Sequence, residues 1–157
     1  MIERGKGLGK AKLVIGWNEY VDLPAWGILG LRAKLDTGAR SSALHVENIE
    51  LRPHGHVRFD VMLHRKKSDR RVHIEAPISR RARVRSSSGH MELRYFVMAE
   101  LRLGPVVEVV EVNLMDRQRM IYRMLLGRSA LAGRFLIDVA RQNLLERPRR
   151  AARRALR

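Results

Sequence analysis

Apolar and polar residues alternate along most of this chain, at the two-residue period of strands that bury one face. Val57, Phe59, Val61 and Leu63 share one parity, and Arg58, Asp60, Met62 and His64 take the other. Leu31, Ala33 and Leu35 repeat the pattern just ahead of Asp36. A strand or two is expected over residues 10–23, around Leu13-Val14-Ile15-Gly16-Trp17, ending at Leu23-Pro24 because proline removes a ladder donor. Further strands are expected over 28–35, 42–51, 57–64, 72–78, 82–85, 92–103, 106–114 and 121–126. Pro53-His54-Gly55-His56, the polar stretch Arg65 to Arg71, Gly104-Pro105 and Asp116-Arg117-Gln118 separate them. Ser86-Ser87-Ser88-Gly89 lies between Val84 and Met91 and predicts the tip of a hairpin. Only Arg128 to Gly133 and the last residues have helical spacing. Many short, regularly spaced strands predict an all-β barrel or sandwich.

Composition narrows this picture. A chain of 157 residues is large enough for one core and short of two. We expect a basic lead over residues 1–10, one β-domain over 11–145 and an arginine-rich tail over 146–157. There is no cysteine, so disulfides, thiolate metal sites and thiol nucleophiles are excluded. No apolar run approaches the roughly 18 residues of a membrane span. The basic, glycine-containing start lacks the apolar core of a secretory signal. A cytoplasmic protein without membrane partners is expected.

The charge points outward. Net charge is +16, and six of the arginines behind it lie in residues 147–157. A second basic block runs from Arg65-Lys66-Lys67 through Arg70-Arg71 to Arg80-Arg81, Arg83 and Arg85. Such a surface favours polyanions: nucleic acid, ribosome or an acidic peptide. After Pro148, Arg149, Arg150, Arg153, Arg154 and Arg157 recur at helical spacing and could meet RNA or an acidic tail. Aromatic residues are scarce and no RNA-stacking motif occurs, which argues against sequence-specific RNA recognition.

Candidate chemistry centres on Asp36-Thr37-Gly38, which ends the 28–35 strand and puts one carboxylate on a backbone that glycine lets turn tightly. Near the far end comes Met124-Leu125-Leu126-Gly127-Arg128-Ser129-Ala130-Leu131, an aliphatic pair followed by Gly-Arg. With these go Ile15-Gly16-Trp17, Lys34 to Leu44, Glu75-Ala76-Pro77, Val84 to His90 and Arg134-Phe135-Leu136-Ile137-Asp138. Together they resemble a bacterial family described as ATP-dependent zinc proteases, with a retropepsin-like aspartic protease fold. Its members are often encoded beside ATP-grasp glutamate ligases of the RimK type, which modify a ribosomal protein. The resemblance covers roughly residues 11–145.

The resemblance implies a closed acid-protease β-barrel with one short C-terminal helix and an aspartic endopeptidase acting on glutamate-rich or ribosome-associated peptides. Hydrolysis by this route needs two carboxylates sharing a proton, since two like charges at hydrogen-bonding distance cannot both ionise. One Asp-Thr-Gly per chain implies a homodimer in which Asp36 meets its twin. Asp138 also follows an apolar run, but without Thr-Gly after it a structural role is expected. Thr37 would brace the loop through its hydroxyl, Gly38 would let the backbone approach substrate, and Ala39, Gly127 and Arg128 would support the site. Ser86, Ser87, Ser88 and Gly89 are the candidate flap. One departure stands out: Arg40 occupies the position where viral enzymes carry an aspartate for the Gly-Arg arginine. Arg128 is therefore expected to pair elsewhere, with Asp138 or Glu75, or the dimer to be built differently.

The zinc and ATP parts of the family description find little in the residues. No His-Glu-x-x-His occurs, but His-x-Glu appears three times: His45/Glu47, His73/Glu75 and His90/Glu92. Residues two apart on a strand share a face, so each pair could offer a metal one nitrogen and one oxygen. His54-Gly55-His56 is a weaker candidate, and no cofactor is expected. Gly5-Lys6-Gly7-Leu8-Gly9-Lys10 fails phosphate-loop spacing. Two alternatives of other classes stand beside the peptidase: a catalytically silent peptide-binding or regulatory β-domain, and a basic RNA- or ribosome-binding protein.

Overall fold

The alternating segments fold as strands, and their pairing order bends the sheet into a closed ring. The computed structural model describes residues 11–86 and 88–145. The expected basic lead, Ser87 of the candidate flap and the arginine-rich tail lie outside the described residues. The strands are β1 (Leu13–Gly16), β2 (Asn18–Leu23), β3 (Ile28–Leu35), β4 (Ser42–Arg52) and β5 (His56–Met62), followed by β6 (Arg71–Arg85), β7 (Met91–Leu103), β8 (Val106–Met115), β9 (Met124–Leu126) and β10 (Phe135–Asp138). One α-helix, α1 (Arg128–Leu131), lies between the last two.

Eight strands pair in the order β2-β3-β9-β4-β5-β6-β7-β8, and further pairings of β4 with β8 and β2 with β7 turn the run back on itself. The all-β barrel with one short helix is therefore observed. Its interior takes Val57, Phe59 and Val61 from β5, Leu31, Ala33 and Leu35 from β3, and matching residues of β2, β4, β7 and β8. Each large side chain so buried stabilises the fold by about 1.5–3 kcal/mol. Trp26 closes over Phe59 edge-to-face, with ring centroids 5.7 Å apart.

The elements differ from the periodicity at three places. Residues 72–78 and 82–85 do not form separate strands but one, β6, which pairs with β5 through Arg71–Pro77 and with β7 from Ile78 onward. A register shift between Ile78 and Arg80 marks the change of partner; Pro77, lacking an N–H, ends the first ladder. The strand expected over 121–126 shrinks to Met124–Leu126. The helix stops at Leu131 instead of Gly133, because Ala132 turns extended and Gly133 takes φ 83°, a left-handed conformation suited to glycine.

Outside the ring, β1 pairs in parallel with β10. Glu19, 1% exposed, ties this annex to β2: its carboxylate accepts N–H bonds from Gly16 at 2.8 Å, Leu144 at 2.8 Å and Leu145 at 3.3 Å. A buried carboxylate held by backbone donors tolerates burial because its lone pairs are satisfied. No helix among the described residues is long and apolar enough to cross a membrane.

Candidate active site

Asp36 leaves β3 at a crossing of strands. β9 lies between β3 and β4, parallel to the first (Leu35 opposite Leu126) and antiparallel to the second (Ala43 opposite Leu125). The loop 36–41 therefore passes over the end of β9 to reach β4. Backbone bonds hold it there: Asp36 N–H donates to Leu126 O at 2.8 Å, and Ala39 N–H to Asp36 O at 3.3 Å. From below, Arg128 N–H donates to Ala39 O at 2.9 Å and Ser129 N–H to Arg40 O at 3.0 Å. Buried Ser42, which the sequence pattern did not single out, accepts the Gly127 N–H on its hydroxyl at 3.1 Å. No local signal marks Ser42, because the bond spans 85 residues of chain.

The carboxylate is half-buried and accepts the Gly38 N–H on Oδ1 at 3.1 Å. Gly38 is not in the left-handed region; a Cβ there would sit 3.3 Å from Asp36 Oδ1, so glycine keeps room beside the carboxylate. Thr37 is exposed, and among the described residues its hydroxyl braces nothing within the chain. Arg128 corrects the expectation of a carboxylate partner: its guanidinium donates to Thr37 O at 3.0 Å and so grips the loop by its backbone. Asp138 instead receives the Ala140 N–H at 2.9 Å and faces Arg141 at 3.6 Å, while Glu75 faces Arg52 at 3.5 Å.

The candidate flap is the β6–β7 turn. Ser86 N–H donates to His90 O at 2.8 Å and Gly89 N–H to Ser86 O at 2.9 Å, with Ser86 and Ser88 hydroxyls 2.8 Å apart. The arm behind the turn is solvent-exposed at Arg83, Arg85, Met91 and Leu93.

The three His-x-Glu pairs do not converge, and among the described residues no three histidine, aspartate or glutamate side chains are arranged to hold a metal. His73 bonds Asp60, Glu75 faces Arg52, and Glu92 pairs with Arg94. His54 and His56 stay on the surface turn, where His56 Nδ1 meets His54 O at 3.1 Å. The described residues therefore do not fit a zinc site.

His45 has a structural place. It is 1% exposed, its Nδ1 accepts the Arg117 N–H at 3.0 Å, and its Nε2 lies 3.9 Å from Glu47. Burial, then the Arg123 charge, push its imidazole below the ordinary histidine range, outweighing Asp116 and Glu47. An unfolded chain then binds more protons than the folded one between that lowered value and about 6.5, so stability rises with pH across this window. Acidification from about pH 7 to about pH 5 is expected to destabilise the protein, and His45→Gln to flatten that dependence in urea titrations. A variant as acid-sensitive as its parent over this range would refute the assignment. Asp60 acts at lower pH in the same direction. Burial pushes its carboxyl up, but bonds from Asn48, His73 and Arg71 hold it below the usual range, so its contribution vanishes only in stronger acid.

Comparison with known proteins bears on this geometry. Residues 14–148 match the family model RimB-like, described as retropepsin-like aspartic endopeptidase RimB. A probable alpha-L-glutamate ligase of Parasynechococcus marenigrum (strain WH8102) is 38% identical over 130 residues, covering 81% of this chain and 28% of that protein. The protein of the same name from Shewanella halifaxensis (strain HAW-EB4) is 35% identical over 130 residues, with the same shares. The chain thus spans little more than a quarter of the length of these curated relatives. Among solved structures, Lpg0085 of Legionella pneumophila, a protein of unknown function, is similar with a TM-score of 0.72 and 28% identity, covering 87% of this chain and all of that one.

Proposed function

The chain belongs to the RimB-like family of retropepsin-like aspartic endopeptidases, and from that premise we propose that it hydrolyses peptide bonds through a dyad of Asp36 carboxylates, one from each of two copies. The observation that carries this reading is the loop itself: a half-buried carboxylate on a backbone tied to β9 and α1, with Thr37 exposed beside it. One ionised carboxylate takes a proton from water as the water attacks the scissile carbonyl. The protonated twin donates to the carbonyl oxygen. Gly38 N–H and the Arg128 grip on Thr37 O keep the loop from relaxing during transfer.

An acidic, glutamate-rich peptide is the substrate class we favour. The net charge of +16 suits it, and relatives carrying this same region are named probable alpha-L-glutamate ligases, enzymes whose name implies glutamate addition. A ribosomal protein bearing such a segment would be met in the cytoplasm, which we assign as the site of action. RNA contact through the arginine-rich tail would assist delivery.

A dyad shared between copies makes activity depend on association. Specific activity toward an acidic peptide is expected to rise with protein concentration and to level off as sedimentation shows the dimer saturating. A protein that cleaves while strictly monomeric at every concentration would overturn the shared dyad.

A further inference from the structure

A cavity of about 450 Å3 opens between the end of the Asp36 loop, β8, α1 and Arg80 of β6. Three arginines are among the residues that line it, Arg40, Arg80 and Arg134, together with Glu108 and Glu111. Two of the cations are already engaged. Arg80 Nε donates to Glu111 at 2.8 Å, and Arg134 pairs with Glu108. Glu111 also accepts the Ser79 hydroxyl at 2.6 Å; burial pushes its carboxyl up, but these bonds hold it below the usual range, so it stays ionised and committed to Arg80. Among the described residues Arg40 alone of the three has no carboxylate partner. Its backbone is fixed, because Arg40 O accepts the Ser129 N–H at 3.0 Å, and Arg40 follows Asp36 by four residues in the same loop.

We propose that this cavity is a subsite for a carboxylate of the peptide flanking the cleaved bond, and that Arg40 is the specificity-determining residue that reads it. The inference rests on the peptidase reading above and adds the group that selects the substrate. A guanidinium presents a fork of N–H donors matched to a carboxylate, so the free one of three is the natural acceptor for an incoming anion. Glu111 and Glu108 neutralise Arg80 and Arg134, so the charge left uncompensated in the lining is that of Arg40. The arginine that breaks the viral pattern, where an aspartate faces the Gly-Arg arginine, becomes part of substrate choice, because Arg128 holds Thr37 O and needs no aspartate.

Binding on the full-length Asp36→Asn protein tests this without requiring turnover. Fluorescent peptides with a run of glutamates, or glutamines at the same positions, are compared by anisotropy, each with a free and an amidated C-terminus. The glutamate peptide is expected to bind roughly tenfold more tightly, and adding Arg40→Gln to remove most of that preference. Arg58→Gln, at an exposed arginine of β5 that does not line the cavity, removes the same charge and should change binding less than about twofold. Loss on amidation would assign the cavity to the terminal carboxylate, and retention to a side chain. If Arg58→Gln weakens binding as much as Arg40→Gln, the attraction is general charge and the subsite is overturned. Parent protein that hydrolyses glutamate and glutamine peptides equally well also overturns it and leaves the peptidase reading standing. Parent protein that cleaves neither, with the Arg40-dependent preference intact, removes the peptidase reading and leaves the subsite.

Discussion

Asp36→Asn is expected to lower peptide hydrolysis at least about a thousandfold, the scale of losing both general acid and general base at one step. Asparagine keeps the shape of aspartate, and its Oδ1 can still accept the Gly38 N–H seen at 3.1 Å, so the loop and the barrel should be unchanged. Circular dichroism and melting temperature should match the parent. The variant should also poison the parent protein. If the dyad is shared as proposed, Asp36→Asn chains mixed in excess should capture parent chains in dimers that carry one carboxylate and cannot share a proton between two. Progressive inhibition on mixing, measured after time for subunits to exchange, is therefore expected. Cleavage by the pure variant at the parent's rate would sink the aspartic mechanism and favour a peptide-binding β-domain that holds substrate without cutting it.

The second large effect is expected at Gly127, through space and not through φ, which is −88° there. A Cβ would lie 2.5 Å from Ser41 O, 2.6 Å from Ser41 C and 2.8 Å from Arg40 O, all backbone atoms of the Asp36 loop. No side-chain rotation can relieve those contacts, so either the loop or α1 must move. Gly127→Ala is expected to cost about 1–3 kcal/mol, as overpacking of a close-packed site does. That corresponds to a drop of roughly 2–4 °C in melting temperature per kcal/mol for a chain of this size. Hydrolysis should fall further than stability explains, because the displaced atoms belong to Arg40 and Ser41, in the same loop as Asp36. Gly38→Ala, whose Cβ meets only Asp36 Oδ1 at 3.3 Å, should cost less stability. A Gly127→Ala protein as stable and active as its parent would show that the loop does not rest on α1 as described.

Much of the site was legible because it is built from neighbours in sequence. Asp36, Thr37 and Gly38 follow an alternating strand, and Gly127-Arg128 follow an aliphatic pair, so both halves announce themselves locally. What each half does to the other was not legible. Arg128 seemed to need a carboxylate, but it binds the Thr37 carbonyl, an atom every residue type offers and no side-chain motif can display. Ser42 reads as one polar residue among several, yet its hydroxyl satisfies the Gly127 N–H across 85 positions. The His-x-Glu pairs suggested metal ligands because spacing reports which face a side chain takes, not which distant side chain shares it. The barrel brings Asp60, Arg52 and Arg94 to His73, Glu75 and Glu92 instead.

The sequence by itself determined most of the strands, the inward parity of β3 and of Val57, Phe59 and Val61 in β5, the turns between most of them and the loop that carries the candidate carboxylate. These follow from a two-residue period and from proline and glycine, whose effects reach only a few residues. Only the tertiary structure decided that β6 is one strand serving two partners, that β1 closes onto β10, and that β9 runs between the strands on either side of Asp36. It also decided that, among the described residues, Arg80 and Arg134 have carboxylate partners while Arg40 has none. Pairing across tens of residues depends on which buried faces and charges remain once all the other strands have docked, and that balance belongs to the whole closed sheet, not to any one stretch of chain.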